Sequence, residues 1–436
     1  MKFPVFCKLS LQYLWRYRRR YLFLFLALGF GFGVVMVISS LKDGMKENLY
    51  LSAQSHYAGD LVAMGYEPQK GINHHLTQTE MDAIFTAAER ANIDPAAIAV
   101  RTTLMGRDEG SVYFNGTGVS LKYIVGVDWD RETEYFAKLS YVEAPVRLDE
   151  GSVLLSAPVA RELGAREGDS IILETYTVTN QRNTGNFIVA GIVEDSSFFG
   201  YYKVYMARRA LNGLIGFAGN DSSLVGFFLK DRTRAEPARR ELYGELAGLT
   251  RTGPLVHDRT AYEDETNKTD PGITTFLLTL PVYLSEVARL MNAIDLASYV
   301  LYTMMLAIIM VSAGVTCRLI LHERTRETGT MRAIGFYESD VRLIFKLELF
   351  CLAFFSMAAG FLLALFINKL LSHTSFSWFP GFEVFMQNGR LSALYLPGTI
   401  AINALAVYAM LALAVQGPVF RNSRNPLPEM LSGGVM

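Results

Sequence analysis

The 436 residues carry 41 Lys and Arg against 42 Asp and Glu, are 51% hydrophobic and only 19% charged. A net charge of -1 says little, no nucleic-acid partner is expected, and the apolar fraction points to a membrane protein with a sizeable soluble part. The cysteines, Cys7, Cys317 and Cys351, all fall in or beside apolar runs, so the soluble part cannot depend on disulfides. With six scattered histidines, no C-x-x-C and no H-E-x-x-H, no metal site is expected.

Residues 1–20 interleave Lys2, Lys8, Arg16, Arg18, Arg19 and Arg20 with Phe6, Leu9, Leu11, Tyr13, Leu14 and Trp15. A basic, aromatic segment ahead of an apolar run reads as a cytoplasmic interfacial helix. The n-region of a cleaved signal peptide is the alternative; Tyr21 to Leu41 argues against it, being long enough to span and followed by no A-x-A-like site. Residues 21–41 are therefore the first expected membrane helix. Within it Gly29 and Gly33 form a G-x-x-x-G, which lets another helix approach closely, and a contact with a second permease chain is expected at or near them.

Residues 42–295 contain no span and read as one large α+β domain inserted between the first and second membrane helices. Helical periodicity covers Leu76 to Asn92 and Thr233 to Leu249. Strands are expected over Asp60–Met64, Ile98–Leu104, Ser111–Phe114, Tyr123–Val127, Ser170–Val178, Asn186–Val193 and Leu224–Leu229. Ser152 to Leu173 reads as strand, helix, Gly168-Asp169 turn and strand, and Phe187 to Gly216 as strand, loop and helix. Gly272 to Leu284, GITTFLLTLPVYL, is apolar but too short to span. It is either packing or an apolar lip close to the outer leaflet, and in the second case Phe276, Leu277, Leu280 and Tyr283 are candidate contacts for a lipid-bearing cargo.

Three further runs without formal charge are long enough to cross a bilayer: residues 296–317, 349–368 and 395–417. Between the first two lies 318–348, where Arg318, His322, Glu323, Arg324, Arg326, Glu327 and Arg332 crowd into a segment that cannot stay in lipid. Six Lys and Arg precede the first span, six lie in Arg318 to Lys346, and two lie in the tail (418–436), against two in the short loop 369–394. The positive-inside rule then puts both termini and 318–348 in the cytoplasm, and 42–295 and 369–394 outside.

The stretch R-x-x-E-x-G-x-x-R-A-I-G (Arg324, Glu327, Gly329, Arg332, Ala333, Ile334, Gly335), followed by a helix carrying Glu348, resembles the cytoplasmic loop of MacB/FtsX-type ABC transporter permeases. A second match lies in the soluble part, at Leu163, Gly164, Gly168, Asp169, Val189, Gly191 and Val193, which resemble the L-G-x-x-x-G-D and v-x-G-i-v pattern of that family's extracytoplasmic domain. The resemblance implies a non-catalytic subunit of the bacterial inner membrane, working by mechanotransmission in a dimer with an identical or homologous permease. A short helix around Thr328 to Phe336 would dock on a separate ABC ATPase, two copies per complex. The chain has no G-x-x-x-x-G-K-[ST] loop, so ATP and Mg would be bound by that ATPase and no cofactor by this chain. Within the family the leading reading is a permease similar to the lipoprotein-releasing LolC and LolE, on the basic interfacial N-terminus and the one large outer domain, which implies a lipoprotein cargo. An efflux or antimicrobial-peptide permease and a membrane-anchored regulator of cell-wall hydrolases are the alternatives.

Overall fold

The computed structural model describes residues 10, 12–68, 72–137, 139–194, 200, 202–268, 270–374, 386 and 390–423. The chain divides into two compact units, one of Met1–Met45, Asn292–Ser375 and Leu391–Met436, the other of Lys46–Met291 with Phe376–Arg390. Residues 1–9, most of the loop 375–389 and the tail beyond Ser423, including most of the expected C-terminal segment, lie outside the described residues.

The first unit is helical. A short helix α1 (residues 12–16) leads into α2 (Arg18–His56), whose first part belongs here. The later helices are α10 (Ser285–Glu323), α11 (Thr325–Ala333), α12 (Glu338–His373) and α13 (Pro397–Ser423). Four of these are long and apolar enough to cross a bilayer. They share one core, built from Leu24, Leu28 and Phe32 of α2, Ile309 and Ala313 of α10, Leu352, Ala353 and Met357 of α12, and Val407 and Leu411 of α13. The opposite faces stay apolar as well: Phe23, Phe30, Met304, Ile308, Val311, Val315, Phe354, Leu362, Phe366, Ile402 and Leu405 are all exposed. Such a belt would aggregate in water and is what a bilayer solvates. Helices α2, α10 and α12 overrun the apolar stretches that mark the spans, because backbone hydrogen bonding continues into charged sequence such as Arg318 to Glu323 at no cost once a helix is nucleated.

The second unit is α+β. Its elements in order are β1 (Leu61–Tyr66), α3 (Gln78–Arg90), β2 (Pro95–Phe114), β3 (Thr117–Val127), α4 (Thr133–Ala137), β4 (Tyr141–Glu143), β5 (Ser152–Ser156), α5 (Ala157–Leu163), β6 (Ser170–Tyr176), β7 (Arg182–Val193), β8 (Lys203–Ala207), α6 (Arg208–Ile215), β9 (Leu224–Leu229), α7 (Ala235–Leu246), α8 (Arg259–Asn267), β10 (Thr274–Thr279) and α9 (Leu280–Tyr283). The long strand β2 serves two structures. Its first half pairs with β9 in an antiparallel sheet ordered β10-β1-β9-β2. Its second half pairs with both β3 and β6, and the pairings β3 to β8, β8 to β5, β5 to β7 and β7 to β6 close a six-stranded ring. Closing the ring leaves no free edge among those six strands.

Both faces of the four-stranded sheet are covered. On one side Met81, Ile84, Ala87 of α3 and Leu242, Leu246 of α7 meet Leu61, Ala63, Val225, Phe227 and Leu277. On the other, Tyr262 of α8 and Val282 of α9 meet Val62, Met64, Leu224, Phe276 and Leu278. A strand buried on both faces has no wet face and so loses the polar/apolar alternation of a half-exposed strand. That corrects the reading of Gly272 to Leu284 as a membrane-facing lip: Thr274–Thr279 is β10, antiparallel to β1. Phe276 and Leu277 are each 1% exposed, and Leu280 is fully buried. Tyr283 is half-buried, stacked on Tyr57 with its hydroxyl donating to Met64 Sδ at 3.4 Å. Phe276, Leu277 and Leu280 present no surface to a cargo, and the Tyr283 ring packs within the unit.

Candidate functional site

The break between α10 and α12 is built around one arginine. Helix α10 ends at Glu323, Arg324 leaves helical geometry (φ -99°, ψ 12°), and α11 begins at Thr325. The guanidinium does not point to water. Arg324 is 1% exposed and Glu348, on α12, fully buried. Arg324 Nη1 donates to both oxygens of Glu348 at 3.0 and 2.9 Å and lies 3.2 Å from the Tyr21 hydroxyl of α2, while Nε donates to Glu327 Oε2 at 3.0 Å. The rings of Tyr13, Tyr17 and Phe345 surround its Cζ at 4.8 to 5.0 Å. Tyr17 donates in turn to Glu327 Oε1. Burial alone would lower the pKa of Arg324, but pairing with Glu348 outweighs it and the net shift is upward, so the residue stays a cation. The bond to Glu327 is the main reason that the Tyr17 phenol is held above its ordinary pKa.

One charge cluster thus fastens α11 to α12, to α2 and to the segment preceding α2. Helix α11 lies over it with two faces. Thr328 and Gly329 are buried, and Met331, with Phe336 just beyond the helix, packs on the bundle core. Arg326, Thr330 and Ala333 face outward. Beyond the helix, Ile334 is 75% and Tyr337 77% exposed. Arg332 turns back to Glu338 of α12 at 3.3 Å. Gly335 ends the turn at φ +107°, a backbone state that only glycine adopts without strain, and so fixes where α12 begins.

The residues picked from the sequence therefore separate into two groups. Arg324, Glu327, Gly329 and Arg332 hold the loop to its own bundle, whereas Ala333 and Ile334 form its free surface. Glu348 was visible only as a carboxylate entering an apolar run, which is itself a signal, since an ionised group there needs a partner. Tyr17 and Tyr21 gave none: inside a basic, aromatic flank they look like interfacial anchors. Gly29 and Gly33 admit a close helix neighbour from within the chain. They pack within the chain against α12, where a Cβ on Gly29 would stand 3.0 Å from the Ser356 carbonyl and one on Gly33 3.0 Å from that of Gly360. Where α2 meets α12 the tightest of these three positions is Gly360, whose Cβ would lie 2.2 Å from the Gly29 oxygen.

Four apolar helices with a charged, helix-bearing turn, and a separate α+β unit, define a multi-pass membrane protein with a soluble domain. The model for the MacB-like periplasmic core domain matches residues 22–243, just over half of the chain, and that for the FtsX-like permease C-terminal matches residues 299–422. The chain belongs to the MacB/FtsX-type ABC transporter permeases, membrane transport subunits that work with an ABC ATPase. Among solved structures it is similar to the periplasmic region of MacB from Actinobacillus actinomycetemcomitans, at 11% identity over 54% of this chain and 95% of that one, with a TM-score of 0.30. The search of curated proteins gave no match.

Proposed function

We propose that this chain is the mechanotransmitting permease of its ABC transporter, with α11 as the element on which a partner ATPase pushes. The observation that carries this reading is the two-sidedness of α11 and its turn. Outward, Ile334 and Tyr337 leave large apolar side chains in a segment too charged for lipid, and exposed apolar patches mark contact sites. Inward, the Arg324 cluster ties the same segment to α12 and α2, so a displacement of α11 moves two membrane helices with it. The positive-inside rule supports an inner-membrane topology with both termini and α11 in the cytoplasm and the second unit, inserted between the first and second spans, in the periplasm. A second permease chain and two ATPases complete the assembly.

For the cargo, lipoprotein extraction from the outer leaflet remains the first reading to test, and it rests on family resemblance alone now that Gly272 to Leu284 is core. Peptide efflux and hydrolase regulation are the alternatives. The coupling reading is tested by Ile334→Asp with Tyr337→Ser in the co-purified complex. Both side chains are free of the Arg324 cluster, so folding should be unchanged while permease-stimulated ATP hydrolysis falls by at least tenfold. Stimulation at the parental level in that variant would move the docking surface away from this turn. Charge reversal at Glu327 or Arg332 is a weaker test, because each is engaged in an ion pair inside the chain.

A further inference from the structure

We propose that the groove formed by α1, the first turns of α2 and the N-terminal half of α12 holds one anionic phospholipid of the surrounding leaflet. The proposal rests on the membrane-spanning reading of the helical unit and not on the partner ATPase. The groove has a volume of about 770 Å³, with Leu14, Trp15, Leu22, Phe25, Leu352 and Phe355 supplying an apolar wall. That is in the range of small-molecule sites, and in a bilayer an open apolar groove of this kind is filled by acyl chain. A polypeptide segment is a poorer occupant, since its backbone groups would lack partners at membrane depth.

The rim sets the headgroup. Arg16 and Arg18 line the groove, and the Arg18 guanidinium lies over the Trp15 ring at 5.4 Å. Among the described residues Arg16, Arg18 and Arg19 have no carboxylate within ion-pair distance, whereas the next arginine, Arg20, pairs with Glu323 at 3.2 Å. Two guanidiniums beside an apolar slot, neither neutralised by the protein, match a phosphodiester attached to acyl chains, because the planar fork binds phosphate in bidentate fashion. A headgroup that carries its own amine offsets that attraction internally. A net anionic lipid does not, and the positively charged flank favours it further.

Trp15 makes the site readable. With Trp129→Phe and Trp378→Phe it becomes the chain's single tryptophan, since the sequence has three. The purified chain would be reconstituted in phosphatidylcholine vesicles containing rising fractions of either dibrominated phosphatidylglycerol or dibrominated phosphatidylcholine, and Trp15 quenching followed. Half-quenching is expected at about fivefold or more lower mole fraction for the anionic lipid, the effect of roughly one surface arginine. Arg16→Gln with Arg18→Gln should abolish the difference, and Arg16→Lys with Arg18→Lys should retain most of it, which separates lost charge from lost folding. Arg19→Gln removes one such charge from a residue that does not line the groove and should leave the preference nearly intact. Equal quenching by the two lipids in the parent would reduce the groove to ordinary lipid boundary. Loss of preference in Arg19→Gln would make it diffuse surface attraction, and absence of quenching by either lipid would mean that protein fills the groove; each of these results overturns the proposal.

Discussion

Replacing Glu348 by Gln leaves the Arg324 guanidinium buried with half of its counter-charge removed. The remaining partner, Glu327, is 37% exposed at its side chain, so water screens part of its attraction. Breaking a buried ion pair from one side typically costs about 3–5 kcal/mol, and because a glutamine oxygen still accepts one hydrogen bond the lower end is expected, about 3 kcal/mol. For a unit of this size that corresponds to a melting temperature lower by about 6–12 °C. A thiol-reactive dye can report it: Cys317 is 2% exposed in the helical core, and the α+β unit contains no cysteine, so in a Cys7→Ser, Cys351→Ala background the signal follows the bundle alone. The second arm is Arg324→Leu with Glu348→Leu. Removing both charges for apolar volume should restore stability to within about 1 kcal/mol of the parent, as buried pairs replaced by packed hydrocarbon often do. If the pair exists to transmit force from α11, this stable variant still loses stimulated ATP hydrolysis. A Glu348→Gln shift below about 1 kcal/mol, or single-variant costs that simply add in the double variant, would refute the charge-cluster argument; full stimulation in the double-leucine variant would confine the cluster to folding.

Gly335→Ala meets no neighbouring atom but must adopt φ near +107°, so a cost of about 1–2 kcal/mol without any clash is expected, measured by the same dye assay. Gly360→Ala drives a methyl into the Gly29 carbonyl and should destabilise the bundle by about 3 kcal/mol, whereas Gly29→Ala, with 3.0 Å to the nearest atom, should cost about 1 kcal/mol or less; the reverse order of melting temperatures would disprove the packing of α2 on α12. In the α+β unit, burial between Tyr66 and the Tyr262 hydroxyl lowers His74 from the ordinary 6.5 to about 4. The unfolded chain then binds a proton that the folded one refuses, so this residue removes stability as pH falls from 6.5 towards 4, by up to about 3 kcal/mol, and removes none above 6.5. His74→Gln should flatten that part of the profile in denaturation followed by Trp129 fluorescence, and an unchanged slope would contradict it.

The number and position of the membrane helices were legible because a span needs only length and the absence of charge, both printed in the sequence. Strands with one wet face, such as Ser170–Tyr176, were also legible, since alternation survives there. Elements buried on two sides were not. In both β8 (KVYMA) and β10 (TTFLLT) every residue is buried, so no alternation of polar and apolar positions marks them, and the eye assigns such a run to loop or to lipid contact. The error about Phe276 and Leu280 follows directly: an apolar run predicts burial correctly, but not whether the covering surface is membrane or the unit's own helices α3, α7 and α8.

At the coupling turn the motif was legible and the division of labour inside it was not. Arg324 and Arg332 look alike as charges in a water-facing loop, and only the third dimension brings a carboxylate from twenty-four residues downstream, and tyrosines from three hundred upstream, onto one of them. This has a consequence for how such loops are tested. A charge in the motif is the natural target for mutagenesis, yet Arg324 and Glu348 bury what would otherwise cost several kcal/mol, so their loss weakens the bundle before it weakens any contact with a partner. The residues that can report docking without confounding it are the uncharged, exposed ones, Ile334 and Tyr337. They carry the apolar area that a partner would cover, and both side chains lie outside the Arg324 cluster.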